Sequence, residues 1–106
     1  MYIIWTTVGN RADADRIAAD VVERQLAACV HIEGPIVSHY RWQNRQEQSE
    51  EFRLCFKCVP AGLPALERHV FSVHPYDVPE WIVVAADHVG EKYLSWARAN
   101  STTPPL

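Results

Sequence analysis

Hydrophobic and polar positions along this chain change period several times, and each change marks an element. Tyr2 to Val8 is a β-branched and aromatic run that stops at Gly9-Asn10, which predicts a buried strand ending in a turn. Asn10 is placed to cap a helix, Asp13 and Asp15 lie near the positive end of its dipole, and Ala14, Ile17, Ala18, Val21, Val22 and Leu26 recur at helical spacing. That helix is expected over Arg11 to Gln25. From Ala28 to Trp42 the period becomes two: Ala28, Val30, Ile32, Ile36, Tyr40 and Trp42 occupy even positions, and Cys29, His31, Glu33, His39 and Arg41 odd ones. The pattern predicts one long strand bent at Gly34-Pro35. After a turn at Gln43-Asn44-Arg45 the alternation resumes, with Phe52, Leu54, Phe56 and Cys58 inward and Arg53, Cys55 and Lys57 outward, so the two strands form a hairpin.

Pro60, Gly62 and Pro64 open a second helix, whose Leu63, Leu66, Val70 and Val73 keep helical spacing until Pro75 makes continuation costly. His74 to Glu80 is expected as a rigid loop, because its two prolines fix two φ angles. Trp81 to Ala86, an uninterrupted apolar run, predicts a central strand. Gly90 to Asn100 predicts a short helix carrying Tyr93, Leu94, Trp96 and Ala97, with Ser101 to Leu106 a frayed tail. The order βαββαβ plus a helix is the split βαβ arrangement, an α+β ferredoxin-like sandwich with two helices on one face of an antiparallel sheet, forming one domain over residues 1–106. Fifteen residues from Ala28 to Trp42 would span about 50 Å, against a radius of gyration of about 13 Å for a domain of this size. The hairpin must therefore overhang. An overhanging ribbon with Tyr40 and Trp42 near its tip is usually paired with a second subunit, so a homo-oligomer is expected.

Composition narrows the partners. Ten Lys and Arg stand against thirteen Asp and Glu, a net charge of −3 with no basic block, which speaks against nucleic acid. No apolar run reaches the length needed to cross a bilayer, and Met1 to Val8 lacks the flanks of a signal peptide, so a cytoplasmic protein is expected. Cys29, Cys55 and Cys58 are odd in number, and Cys55 and Cys58, three apart on a strand, point to opposite faces. Neither a disulfide nor a redox or zinc C-x-x-C is favoured over small core residues.

Four segments, Glu23 to Ile32 (ERQLAACVHI), Tyr40-Arg-Trp42, His74 to Glu80 (HPYDVPE) and Tyr93 to Trp96 (YLSW), occur in an order that resembles the CutA divalent-cation tolerance proteins over nearly the whole chain. The resemblance implies a homotrimer assembled through the long hairpin, similar in design to the PII signalling proteins, and a link to metal-ion response and copper binding. Copper ligands proposed in that family are a Cys on the first strand and two consecutive His before the loop proline; Trp5 and Val73-His74 occupy those places here. His74 is thus the one family metal position retained, and the candidate ligand for a weakly bound Cu2+ or other divalent cation. A lone imidazole is a weak site unless a cyclic trimer repeats it near its axis.

Cys29, Lys57, Tyr76 and Glu80 are the candidate residues of a ligand cleft at a subunit boundary. Cys29 shares a strand face with His31, and Lys57 is a ready anion partner for a cluster with Tyr76 and Glu80. Tyr40, Trp42 and Trp96 are candidate oligomer anchors, and His39, His69 and His88 are expected at the surface without partners. No nucleophile elbow, phosphate-cradling loop or paired-carboxylate spacing is present, and an enzyme is not expected, although Cys29 and His74 could pair across an interface. The leading expectation is a homotrimeric metal-response protein. Its rivals are a PII-like sensor of a small anionic molecule at inter-subunit clefts and a structural trimer scaffold.

Overall fold

Residues 1–102 are described by a computed structural model. Its elements follow the predicted order: β1 (Tyr2–Val8), α1 (Arg11–Glu23), β2 (Cys29–Trp42), β3 (Arg45–Cys58), a short 3-10 turn (Pro60–Gly62), α2 (Leu63–Val73), β4 (Ile82–Ala85) and α3 (Glu91–Ala99). The sheet is antiparallel with strand order β2-β3-β1-β4. This is the expected ferredoxin-like α+β fold. Of the predicted tail, Thr102 is held by bonds from its N–H to Gln25 O (2.8 Å) and its hydroxyl to Arg24 O (3.1 Å). The remainder of the tail lies outside the described residues.

The core sits between one face of the sheet and two helices. Ile4 and Val8 of β1, Leu54, Phe56 and Cys58 of β3, Ala14, Ile17 and Val21 of α1, and Leu66 and Val70 of α2 form one cluster, each fully buried. α1 begins where predicted, because Asn10 Oδ1 accepts the Asp13 N–H at 2.8 Å and satisfies an orphan donor of the first turn. Asp20 of α1 meets His69 of α2, so His69, expected free at the surface, instead ties the helices together. Arg24 first, and then His69, holds the Asp20 carboxyl below its usual range.

The predicted bend at Gly34 does more than curve the strand. Before it, Glu33 pairs with Arg53; after it, Ile36 pairs with Glu51, so one extra residue has entered β2 as a bulge. Because the side-chain period is two, that insertion transfers the even positions of β2 to the other face of the sheet. Tyr40 and Trp42 were expected to continue the face of Val30 and Ile32; they lie instead on the face of Glu51, and Ser49 Oγ reaches Tyr40 Oη at 3.3 Å. Gly34 has φ +147°, and a Cβ there would stand 3.1 Å from Glu51 O and 3.2 Å from Phe52 Cα. At the hairpin end Gln43 and Asn44 both have positive φ (51° and 63°), the two-residue turn whose twist suits the ribbon.

The apolar run after the loop is the main departure from expectation. Trp81 precedes the strand and packs edge-on against Phe71, with ring centroids 5.3 Å apart. β4 itself is four residues long, stands at the sheet edge rather than its centre, and is exposed throughout. Ile82–Ala85 are thus apolar without being covered by the described residues of one chain. The far halves of β2 and β3 pair only with each other, and the long dimension reaches 44 Å against 26 and 23 Å, which is the expected overhang.

Gly34→Ala should lower stability by on the order of 1–3 kcal/mol, since it adds a Cβ at a φ that L residues avoid. Urea unfolding followed by circular dichroism measures this. An unchanged midpoint would show that the bulge is not a constrained point.

Candidate functional site

Two groups of chemistry-bearing residues lie along β3, and the four expected cleft residues divide between them. Lys57 pairs with Cys29 on one side and Ile3 on the other; Glu51 lies six residues away, roughly 20 Å at about 3.3 Å per residue. Within one chain Lys57 therefore does not join Tyr76 and Glu80. The expected cluster was placed at a subunit boundary, and within one chain the length of β3 keeps its members apart.

The first group occupies the face of the sheet away from α1 and α2. Cys29 Sγ lies 3.6 Å from His31 Nε2, Lys57 Nζ lies 3.2 Å from His31 Nδ1, and Lys57 Nζ lies 3.6 Å from Cys55 Sγ. Two thiols, an imidazole and an ammonium thus meet at alternate positions of two paired strands, with Tyr93 of α3 beside both thiols. Burial, and then Cys29, raises the Tyr93 phenol, which keeps it a neutral donor. His31, noted in the sequence only as sharing a strand face with Cys29, joins the two strands here. The clue in the sequence was its position two from Cys29, which puts both on one face. Cys58, by contrast, is in the core, its thiol donating to Val59 O at 3.2 Å and pushed up to about 11 by burial, so Cys55 and Cys58 form no redox pair. Trp5 shares the open face and takes the guanidinium of Arg53 over its ring at 5.9 Å.

The second group is built by the loop after α2. His74 Nδ1 accepts the Tyr76 N–H at 3.0 Å, which leaves the proton on Nε2, and Nε2 donates to Thr6 Oγ1 at 3.0 Å. Both ring nitrogens are in use. Burial depresses the His74 pKa, although the Thr7 backbone and the charges of Asp13 and Glu51 oppose the shift. Tyr76 Oη then donates to Glu51 Oε2 at 2.8 Å, and burial followed by this bond raises the phenol far above its usual value. A chain of contacts from Thr6 through His74 and Tyr76 to Glu51 fixes the loop against β1 and β3. Around it lies a cleft of about 590 Å3 lined by Tyr40, Trp42, Glu51, Tyr76, Asp77 and Glu80 among others. Glu51, which no sequence pattern singled out, is buried at its base.

Neither group makes a metal site in one chain. Among the described residues no set of three or more His, Cys, Asp or Glu side chains stands close enough to hold an ion. His74 would have to release the Tyr76 N–H before binding one. Trp96 is exposed on α3, next to Tyr93, as an oligomer anchor would be.

The family model for the CutA1 divalent ion tolerance protein matches residues 2–100. The divalent-cation tolerance protein CutA of Thermus thermophilus is 35% identical over 93% of this chain and 96% of its own length. The human protein CutA is 38% identical over 89% of this chain, which spans about half of that longer protein (52%). The crystal structure of CutA1 from the psychrotrophic bacterium Shewanella sp. SIB1 superposes with a TM-score of 0.92 at 39% identity, covering 96% of this chain and 95% of that one.

The committed ring of His74 generates a pH dependence. A folded pKa below the unfolded value means that the unfolded chain binds the proton first, so this contribution to stability is complete above about pH 6.5 and is lost as pH falls through it. His74→Asn should be less stable at neutral pH yet lack that part of the slope, as read by urea midpoints at a series of pH values. Equal slopes in the two proteins would count against the bonded, neutral imidazole.

Proposed function

Because this chain belongs to the CutA1 divalent ion tolerance family, we propose that it acts in divalent-cation tolerance as a homotrimer, holding copper or a similar divalent ion weakly through donors from more than one subunit. The observation that carries this reading is the uncovered face of the sheet. Ile82 and Val84 pair with Trp5 and Ile3 on that face and are 49% and 44% exposed, at an edge strand whose outer side has no neighbouring strand among the described residues. Apolar surface and free strand edge together are what a second subunit covers. The overhanging hairpin provides the reach for a head-to-tail contact, and a ring of such contacts closes when the rotation permits. The number three comes from the resemblance.

The ion's donors are best sought on the same face. Cys29 and His31 offer a thiolate and an imidazole, which suit copper or zinc, and a three-fold axis would turn two donors into six. The Lys57 ammonium beside them repels a cation and occupies His31 Nδ1, which is consistent with weak binding. His74 is the poorer donor, since each of its nitrogens already has a partner. The anion-sensor alternative moves to this face as well, because Lys57 is here and the loop cleft is lined by carboxylates. Free thiols at Cys29, Cys55 and Cys58 fit a reducing cytoplasm.

Light scattering should give the mass of three chains, and Val84→Glu, which places a charge on the bare face, should lower it. Anaerobic calorimetric titration with copper and zinc should show saturable uptake that the Cys29→Ser, His31→Gln double variant weakens about tenfold or more, with His74→Gln close to unchanged. A monomeric mass, or uptake indifferent to Cys29 and His31, would overturn the respective half of the reading.

A further inference from the structure

The helices carry a charged groove on the side of the molecule away from the bare sheet face. Arg24 at the end of α1, Leu26 just beyond it, and Ala65, Arg68, His69 and Ser72 of α2 line a space of about 560 Å3, in the range of small-molecule sites. It belongs to the layer that α1 and α2 make over one face of the sheet, so a second subunit seated on the opposite face leaves it open. A chain of net charge −3 thus gathers three basic side chains around one groove.

Among the described residues one carboxylate, that of Asp20, is bonded to these side chains. Its Oδ1 accepts the Arg24 Nε–H at 2.8 Å and its Oδ2 meets His69 Nε2. The bond at Nε fixes the plane of the Arg24 guanidinium and leaves the donors on its terminal nitrogens free. Arg68 is exposed and is in no ion pair among the described residues. Glu23 reaches Arg24 through its charge, without an ion pair. The Arg24 and Gln25 carbonyls, which could compete for the free donors, are taken by Thr102 at 3.1 and 2.8 Å. Ser72 adds no donor, since its hydroxyl is given to His69 O at 2.6 Å. Two guanidinium forks with unused donors therefore face the groove, and such forks match pairs of oxygens on a phosphate or a carboxylate. A carboxylate has one such edge and one charge. A phosphate ester has several edges and a charge of about −1.5 to −2 at neutral pH, enough to meet both forks at once.

We propose that this groove binds a small phosphate ester, its phosphate clamped between Arg24 and Arg68 and its apolar part laid against Leu26 and Ala65. The site shares no residue with the Cys29–His31 pair. Its failure would leave the metal reading untouched, and the reverse holds too.

Binding is tested on the assembled protein by calorimetry and by amide chemical shifts, with phenyl phosphate as the probe. Benzoate serves as a carboxylate of similar size, inorganic phosphate as the charge alone and benzyl alcohol as the apolar body alone. Phenyl phosphate should bind saturably, weaken as salt is raised, and shift the amides of Arg24, Ala65 and Arg68. Benzoate and inorganic phosphate should bind more weakly and benzyl alcohol not at all. Arg68→Gln, at an exposed position outside the core, should weaken phenyl phosphate about fivefold or more. Arg24→Gln should do the same; if loss of its bond to Asp20 disturbs folding, Arg68→Gln decides. Arg16→Gln, on α1 outside the groove, and Cys29→Ser should leave binding unchanged. The proposal is overturned if phenyl phosphate does not bind, if benzoate or benzyl alcohol binds as tightly, if Arg68→Gln binds undiminished, or if Arg16→Gln binds as poorly as Arg68→Gln. It is overturned too if binding appears only once residues 103–106 are removed, which would give the groove to those residues instead.

Discussion

Pairing of β3 with β1, seven residues in unbroken register from Tyr2 opposite Cys58 to Val8 opposite Phe52, is the constraint on which the remaining architecture depends. It commits the even residues of both strands to the helices and the odd residues to the opposite face. On the helix side this supplies the packed apolar layer whose burial drives folding. On the other side it sets out Ile3, Trp5, Arg53, Cys55 and Lys57 as a layer with no cover from α1 or α2. The thiols, the imidazole of His31 and the ammonium of Lys57 thus lie on the half of the sheet that α1 and α2 leave uncovered.

Much of this was legible in the sequence, because local rules and global packing agree there. The cap at Asn10, the proline limits of α2 and the alternation of β1 and β3 each follow from short-range chemistry, and the element order follows from them. The failures have physical causes too. Residues 81–86 are apolar in the manner of a strand buried on both sides, yet hydrophobicity records only that water is to be excluded and not whether the same chain excludes it. His69 lacked a visible partner because Asp20 lies forty-nine positions away and meets it only through helix packing. Gln43 carries no signature of its positive φ.

The candidate sites were legible in part. His74, Tyr76 and Glu80 belong to one loop, as their sequence proximity implied, and within the chain His74 holds the backbone of Tyr76 while Tyr76 holds Glu51. Within one chain Cys29 and Lys57 stand at the other end of β3 from that loop, a spacing that is invisible until register is known; the cleft expected for all four lies between subunits. Glu51 had no signal of its own, being one of several carboxylates in a polar stretch.

Gly34 sets a reading frame for the hairpin. One extra residue in β2 exchanges inside for outside over everything distal to it, so the ribbon's outer half obeys a parity rule rather than a length rule. An inherited deletion of one residue beside the bulge would turn Tyr40 and Trp42 to the opposite side of the ribbon while leaving composition almost untouched, whereas loss of two would shorten the ribbon and keep its sides. Among descendants of this sequence, drift in hairpin length should therefore proceed in even steps.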